Sequence, residues 1–200
     1  MRVKPMSKHR LLVRFSRICG IISPVFTFTC IMLAITSYPE FSWTNNALSD
    51  LGTVEGFTGT IFNLGLLTGG FLALIFALGL FIIQKNILGK LGSLVFALAA
   101  ISLSMIGIFP ENIEPIHYHV SVAFFTLAPI ALIILSVAFI QAGKKKLGLF
   151  TLFMALTAAV IWIYHWTFGF GANVAIPETL SALALSAWVI KLSHEIFINL

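Results

Sequence analysis

Three histidines and a set of carboxylates fall on one side of the hydropathy pattern of this 200-residue chain. Imidazoles with carboxylates are the residue types that hold a divalent metal and activate its water. The imidazoles are His117, His119 and His165, and the carboxylates are Asp50, Glu111, Glu114 and Glu178. A ligand set suited to Zn²⁺ is drawn from His165, His119, Asp50 and His117. Glu178 or Ser49 then stands ready to move a proton or steady an oxyanion. The chemistry expected of such a group is hydrolysis by zinc-bound water.

Each of these residues also has a plainer role open to it. His165 sits about one turn inside the apolar run 149–168, where an ionisable group is a functional candidate. Trp162, Tyr164 and Trp166 surround it, and they describe an aromatic belt at a membrane interface equally well. His117 and His119 are two residues apart, so on a helix they point to nearly opposite sides. His119, at the start of a predicted span, is the one expected to face the interior. Ser49 and Asp50 lie in Asn45-Asn46-Ala47-Leu48-Ser49-Asp50-Leu51-Gly52, where either can cap a helix or tighten the turn before Gly52. No G-x-S-x-G elbow, H-E-x-x-H or P-loop is present.

The elements that must position these groups are set by composition. Hydrophobic residues make up 59% of the chain and charged ones 10%, against about a quarter charged in soluble domains. Only a bilayer hides that much apolar surface. Runs of about 20 apolar residues give spans at 18–38, 57–83, 91–109, 119–142, 147–169 and 178–198. All 12 Lys and Arg fall on one side of this pattern, while Glu40, Asp50, Glu55, Glu111, Glu114 and Glu178 fall on the other. Cytoplasmic loops collect Lys and Arg. The expectation is an all-α membrane protein, one bundle of six transmembrane helices in the cell membrane, with both termini cytoplasmic.

The basic segment 1–17 is expected to lie on anionic inner-leaflet lipid or to act only as a topogenic signal. The basic residues line inner loops and form no nucleic-acid face. Cys19 and Cys30 share the first span and lie about 16 Å apart along it, too far for a disulfide.

Three stretches resemble an uncharacterised multi-pass family catalogued as domain of unknown function 998. They are Asn45 to Gly52, Gly107-Ile108-Phe109-Pro110 with His117 and His119, and His165 with the Gly-rich run to Pro177-Glu178. The resemblance implies six helices and no particular activity. The chain is also loosely similar to the superfamily of alkaline ceramidases and adiponectin-type receptors, whose members build an intramembrane zinc site from a Ser, an Asp and three His. That likeness implies matching parts for Ser49, Asp50, His119 or His117, and His165. The chain departs from it in having six spans rather than seven and no H-x-x-x-H on its last helix.

The leading expectation is a metal-dependent hydrolase of a lipid or other amphiphile at the outer leaflet. The alternatives are a non-catalytic membrane scaffold or subunit, and a small-solute carrier. A carrier needs a continuous polar path between the two faces.

Overall fold

The computed structural model describes the backbone of residues 8–198 and the side chains of residues 10–195. Six helices follow one another: α1 (Lys8–Thr36), α2 (Phe57–Ile83), α3 (Ile87–Ile108), α4 (Ile116–Gln141), α5 (Lys145–Phe168) and α6 (Ala175–Ile198). All six are long and apolar enough to cross a membrane, and no strand occurs among the described residues. The short 3₁₀ turn Ser49–Thr53 lies between α1 and α2.

The helix limits differ from the hydropathy spans mainly at their starts. α1 extends over Lys8–Thr36, so its described part reaches into the basic segment. The part of that segment before residue 8 lies outside the described residues, as does its proposed contact with anionic lipid. α4 begins at Ile116, so His117 and His119 are both helical.

Tight turns dictate the topology. Asn86 caps α3 by accepting the Gly89 N–H at 2.7 Å, and its amide donates to the Ala138 carbonyl on α4 at 3.2 Å. Each helix therefore runs antiparallel to the one before it, and α6 returns to pack on α1, closing the six into a ring. The α1–α2 seam is held by small residues. A Cβ at Gly69 would overlap the Thr27 hydroxyl, and Ser23 Oγ donates to the Gly69 carbonyl at 2.8 Å. Cys19 and Cys30 are buried and free.

The two ends of the ring differ in charge. Lys85, Lys144, Lys145 and Lys146 mark the basic end; Asp50, Glu111, Glu114 and Glu178 mark the acidic end. The basic half of the interior is filled by Phe76, Leu80, Phe96, Leu132, Leu135, Trp188 and Leu192. The rings of Phe76, Phe96 and Trp188 meet edge to face with centroids 5.1–6.2 Å apart. A second buried cluster, including Ile31, Leu51, Phe62 and Ile106, lies nearer the acidic end.

Candidate functional site

The connection between α1 and α2 folds across the acidic mouth of the ring, and its polar residues explain how. Asp50 accepts the Asn46 side-chain amide at 2.6 Å and the Ala47 N–H at 3.1 Å. Asn46 Oδ1 accepts the Ser42 N–H at 2.9 Å, and Asn63 on α2 donates to the Gly52 carbonyl at 2.9 Å. The α5–α6 connection is stitched onto the same loop. The N–H groups of Ala172 and Asn173 donate to the Thr44 carbonyl at 2.7 and 3.1 Å, and that of Ala175 donates to the Asn46 carbonyl at 3.0 Å. Gly169, at φ +77°, ends α5 and lets the chain turn toward that contact. Asp50 thus acts in the turn, satisfying donors of its own loop.

This folding brings Leu48, Ser49 and Leu51 inward as buried residues. The Leu48 N–H meets Glu178 in the first turn of α6, donating to Oε2 at 2.7 Å. Glu178 is only 8% exposed, yet it lines two cavities. One is an apolar chamber of about 110 Å³ in the ring interior. It reaches from Ser49 and Glu178 down past Leu185 to Val189, about 16 Å along α6 at the helical rise. The other is a groove of about 540 Å³ between α4 and α5, running along α4 from His117 to Ile133. That is about 24 Å, against about 30 Å for the hydrocarbon core of a bilayer. Its walls include Val122, Ile130, Ile133 and Trp166, all exposed on the outer surface of the ring. Ser49, Ser121, Phe125 and Glu178 line both spaces, so chamber and groove meet there.

Two helix-interior prolines mark these spaces. Pro24 on α1 lines the chamber and Pro129 on α4 lines the groove. Pro129 cannot donate to the Phe125 carbonyl, which leaves the α4 backbone one bond short where the cavities join.

Glu111 completes the polar rim. It lines the groove, and its Oε2 is buried with no hydrogen-bond partner. Burial pushes its carboxyl up from 4.5 to about 7. The neighbouring Asp50 adds to this through hydrogen bonding and charge, Ser49 opposes it, and the charge of Glu114 adds a smaller push.

The histidines separate. His117 is buried on the ring side of α4; its Nδ1 donates to the Phe109 carbonyl at 2.7 Å, and its Nε2 faces Ser121 Oγ at 3.3 Å. His119 is exposed and packs edge-on to Tyr118. The expectation that His119 would face inward is thereby corrected to His117. Two helical residues differ by about 200° around the axis, and the helix starts early enough to include both. His165 is buried among aromatics: it stacks on Phe170 with a 10° interplanar angle and meets Trp162 and Trp166 edge-on. The Phe170 N–H reaches its Nδ1 at 3.5 Å. It lines neither cavity.

Among the described residues, no three or more His, Cys, Asp or Glu are grouped to hold a metal ion. His165, His119 and Asp50 occupy three different surroundings, so the donor set drawn for zinc is not gathered at one point and does not fit the ion. Glu178, Ser49 and His117 do come to one polar rim, on the shared groove. Ser121 and Phe125 join the groove without a sequence expectation, and Trp162, expected only in an aromatic belt, lines it too. The available signals were the i,i+4 spacing of His117 and Ser121, and a proline inside an apolar span.

A closed ring of apolar helices with a polar rim at one mouth defines a multi-pass membrane protein. Residues 21–195 match the family model described as "Protein of unknown function (DUF998)", and the chain belongs to that family. No curated protein and no solved structure matches. The looser likeness to ceramidases and adiponectin-type receptors finds no support in the fold or in the zinc donors.

Proposed function

We propose that the protein binds a membrane amphiphile at the acidic end, admitted sideways from the bilayer through the α4–α5 groove. The observation that carries this is the position of Glu178: a buried carboxyl at the junction of a lipid-facing groove and an apolar chamber. Apolar walls take a hydrocarbon chain, and a few convergent polar groups fix the head. The rim offers Glu178, Glu111, Ser49 and the Nε2 of His117, which are mainly acceptors. All Lys and Arg fall outside its lining. The head it suits is therefore an amine or a polyol, and a phosphate is disfavoured.

In this reading the protein lies in the cell membrane with both termini cytoplasmic, following the bias of Lys and Arg to one end. The amphiphile then enters from the outer leaflet. A carrier role has little to rest on, since buried aromatic and aliphatic residues fill the basic half of the ring. A scaffold role does not call for a chamber behind the groove.

Trp162 and Trp166 line the groove and report on it. Purified protein is titrated with chain-brominated alkylamine, alkyl glycerol ether and alkyl phosphate of equal length. Saturable quenching by the first two, at least tenfold tighter than by the phosphate, is expected. Glu178→Gln keeps an acceptor for Leu48 but cannot form a carboxylate against a bound ammonium, and weakens amine binding about tenfold or more. Equal, non-saturating quenching by all three probes removes the proposal.

One observation favours a catalytic form of the same reading. A carboxyl at about 7 is placed for general-base work near neutral pH. Glu111 would then draw the proton from an attacking water and return it to the departing alcohol, with the Ser49 hydroxyl donating to the developing oxyanion. Release of free fatty acid from an ester-linked amphiphile, lost in Glu111→Gln while binding persists, is the supporting result. No release by the wild type leaves a binding protein.

A further inference from the structure

The basic end of the ring also opens into a concavity, of about 1020 Å³, which the proposed function does not use. It is built from the α2–α3 turn, the α4–α5 turn and the last part of α6. Lys85 comes from the first turn and Lys144, Lys145 and Lys146 from the second, nearly 60 residues later in the chain. The bond from Asn86 Nδ2 to the Ala138 carbonyl holds the two turns together at 3.2 Å. We propose that this pocket holds the phosphate headgroup of an anionic lipid of the inner leaflet.

Charge and shape carry the argument together. Four ammonium groups line one concavity, and none is paired with a carboxylate among the described residues. The acid in the lining, Glu195, is bound to Lys191 at 2.7 Å. Like charges gathered this way repel one another, and a bound anion relieves that repulsion. Topology alone asks for basic loops; it does not ask two distant loops to share one hollow. The floor of the hollow is apolar, with Phe139 and Leu192. A lysine rim over an apolar floor, at the level of the helix ends, fits a headgroup with its chains still in the bilayer. A small free anion would leave that floor wet. Residues 10–17 of the amino-terminal basic segment lie outside its lining, and its ligand carries the charge sign opposite to the head suited to the acidic end.

The test uses purified full-length protein in neutral micelles. Native mass spectrometry counts short-chain phosphatidylglycerol and phosphatidylcholine bound per chain, and inorganic phosphate is added as competitor. Phosphatidylglycerol is expected to be retained at least tenfold over phosphatidylcholine, with inorganic phosphate competing only weakly. Each lysine near an anionic headgroup is worth about fivefold. Lys85→Gln with Lys145→Gln should therefore lower retention by an order of magnitude or more. Both side chains are exposed, so the fold tolerates the change. Lys90→Gln removes one charge at the same end from an exposed position outside the pocket and should change retention less than about twofold, against about fivefold for Lys85→Gln alone. Equal losses in these two single variants reduce the effect to plain surface charge and overturn the proposal. Equal retention of the two lipids overturns it as well. Inorganic phosphate competing as strongly as the lipid would point to a free anion and likewise end the lipid assignment.

Discussion

Replacing Glu111 with glutamine removes a carboxyl that burial, helped by Asp50 and Glu114, pushes from 4.5 to about 7. The folded protein holds that proton more tightly than the unfolded chain does. Between about pH 4.5 and 7 the folded state thus binds more protons, and stability falls as pH rises through this window before levelling off. At about 1.36 kcal/mol per pH unit, the gap between 4.5 and about 7 gives a ceiling of about 3.4 kcal/mol. Glu111 is only partly buried, and solvent screening reduces this to about 1–2 kcal/mol. Thermal unfolding of both proteins in neutral detergent, measured from pH 4.5 to pH 8.5, isolates the effect. Groups remote from Glu111 cancel in the difference, while the rim carboxylates that feel its charge contribute to the difference in the same direction. Glu111→Gln should gain about 1–2 kcal/mol over the wild type by pH 8, with the gain vanishing near pH 4.5. A difference curve that is flat across the window, or that rises toward low pH, would refute the account of the rim.

Two further predictions concern how the site is held. Gly69→Leu forces the α1–α2 seam apart at Thr27 and Ser23, and should cost about 1–3 kcal/mol in detergent unfolding; an unchanged unfolding temperature would mean the helices meet elsewhere. His165→Phe keeps the stack on Phe170 and should leave amphiphile binding within about twofold, since His165 lines neither cavity. Zinc bound to the wild type and lost in His165→Phe would instead restore His165 as a ligand, as elemental analysis of the two purified proteins would show.

The candidate site was legible in its parts more than in its arrangement. Glu178, Ser49 and His117 were recognisable as polar groups at one level of the bundle, and the structure places them on one groove. Asp50 and His165 looked equally chemical by residue type. Asp50 accepts two hydrogen bonds from its own loop and sits beside Glu111, and His165 is surrounded by rings. Residue type cannot separate these cases, because capping and ligation draw on the same oxygens and nitrogens. Ser121 and Phe125 were passed over because a hydroxyl or a ring inside an apolar span ordinarily packs against a neighbouring helix.

The sequence alone determined the six helices, since a bilayer leaves backbone amides no partner except within their own helix. It also determined which groups share an end, because short turns alternate the direction of the chain. Tertiary structure decided the rest. The face His117 presents depends on where α4 starts, and the bond from Leu48 to Glu178 joins residues 130 apart. The chamber is enclosed only where α1, α2, α3, α4 and α6 come together. Hydropathy repeats along one helix and is written locally; a junction between helices depends on how their surfaces meet, which no single stretch of chain encodes.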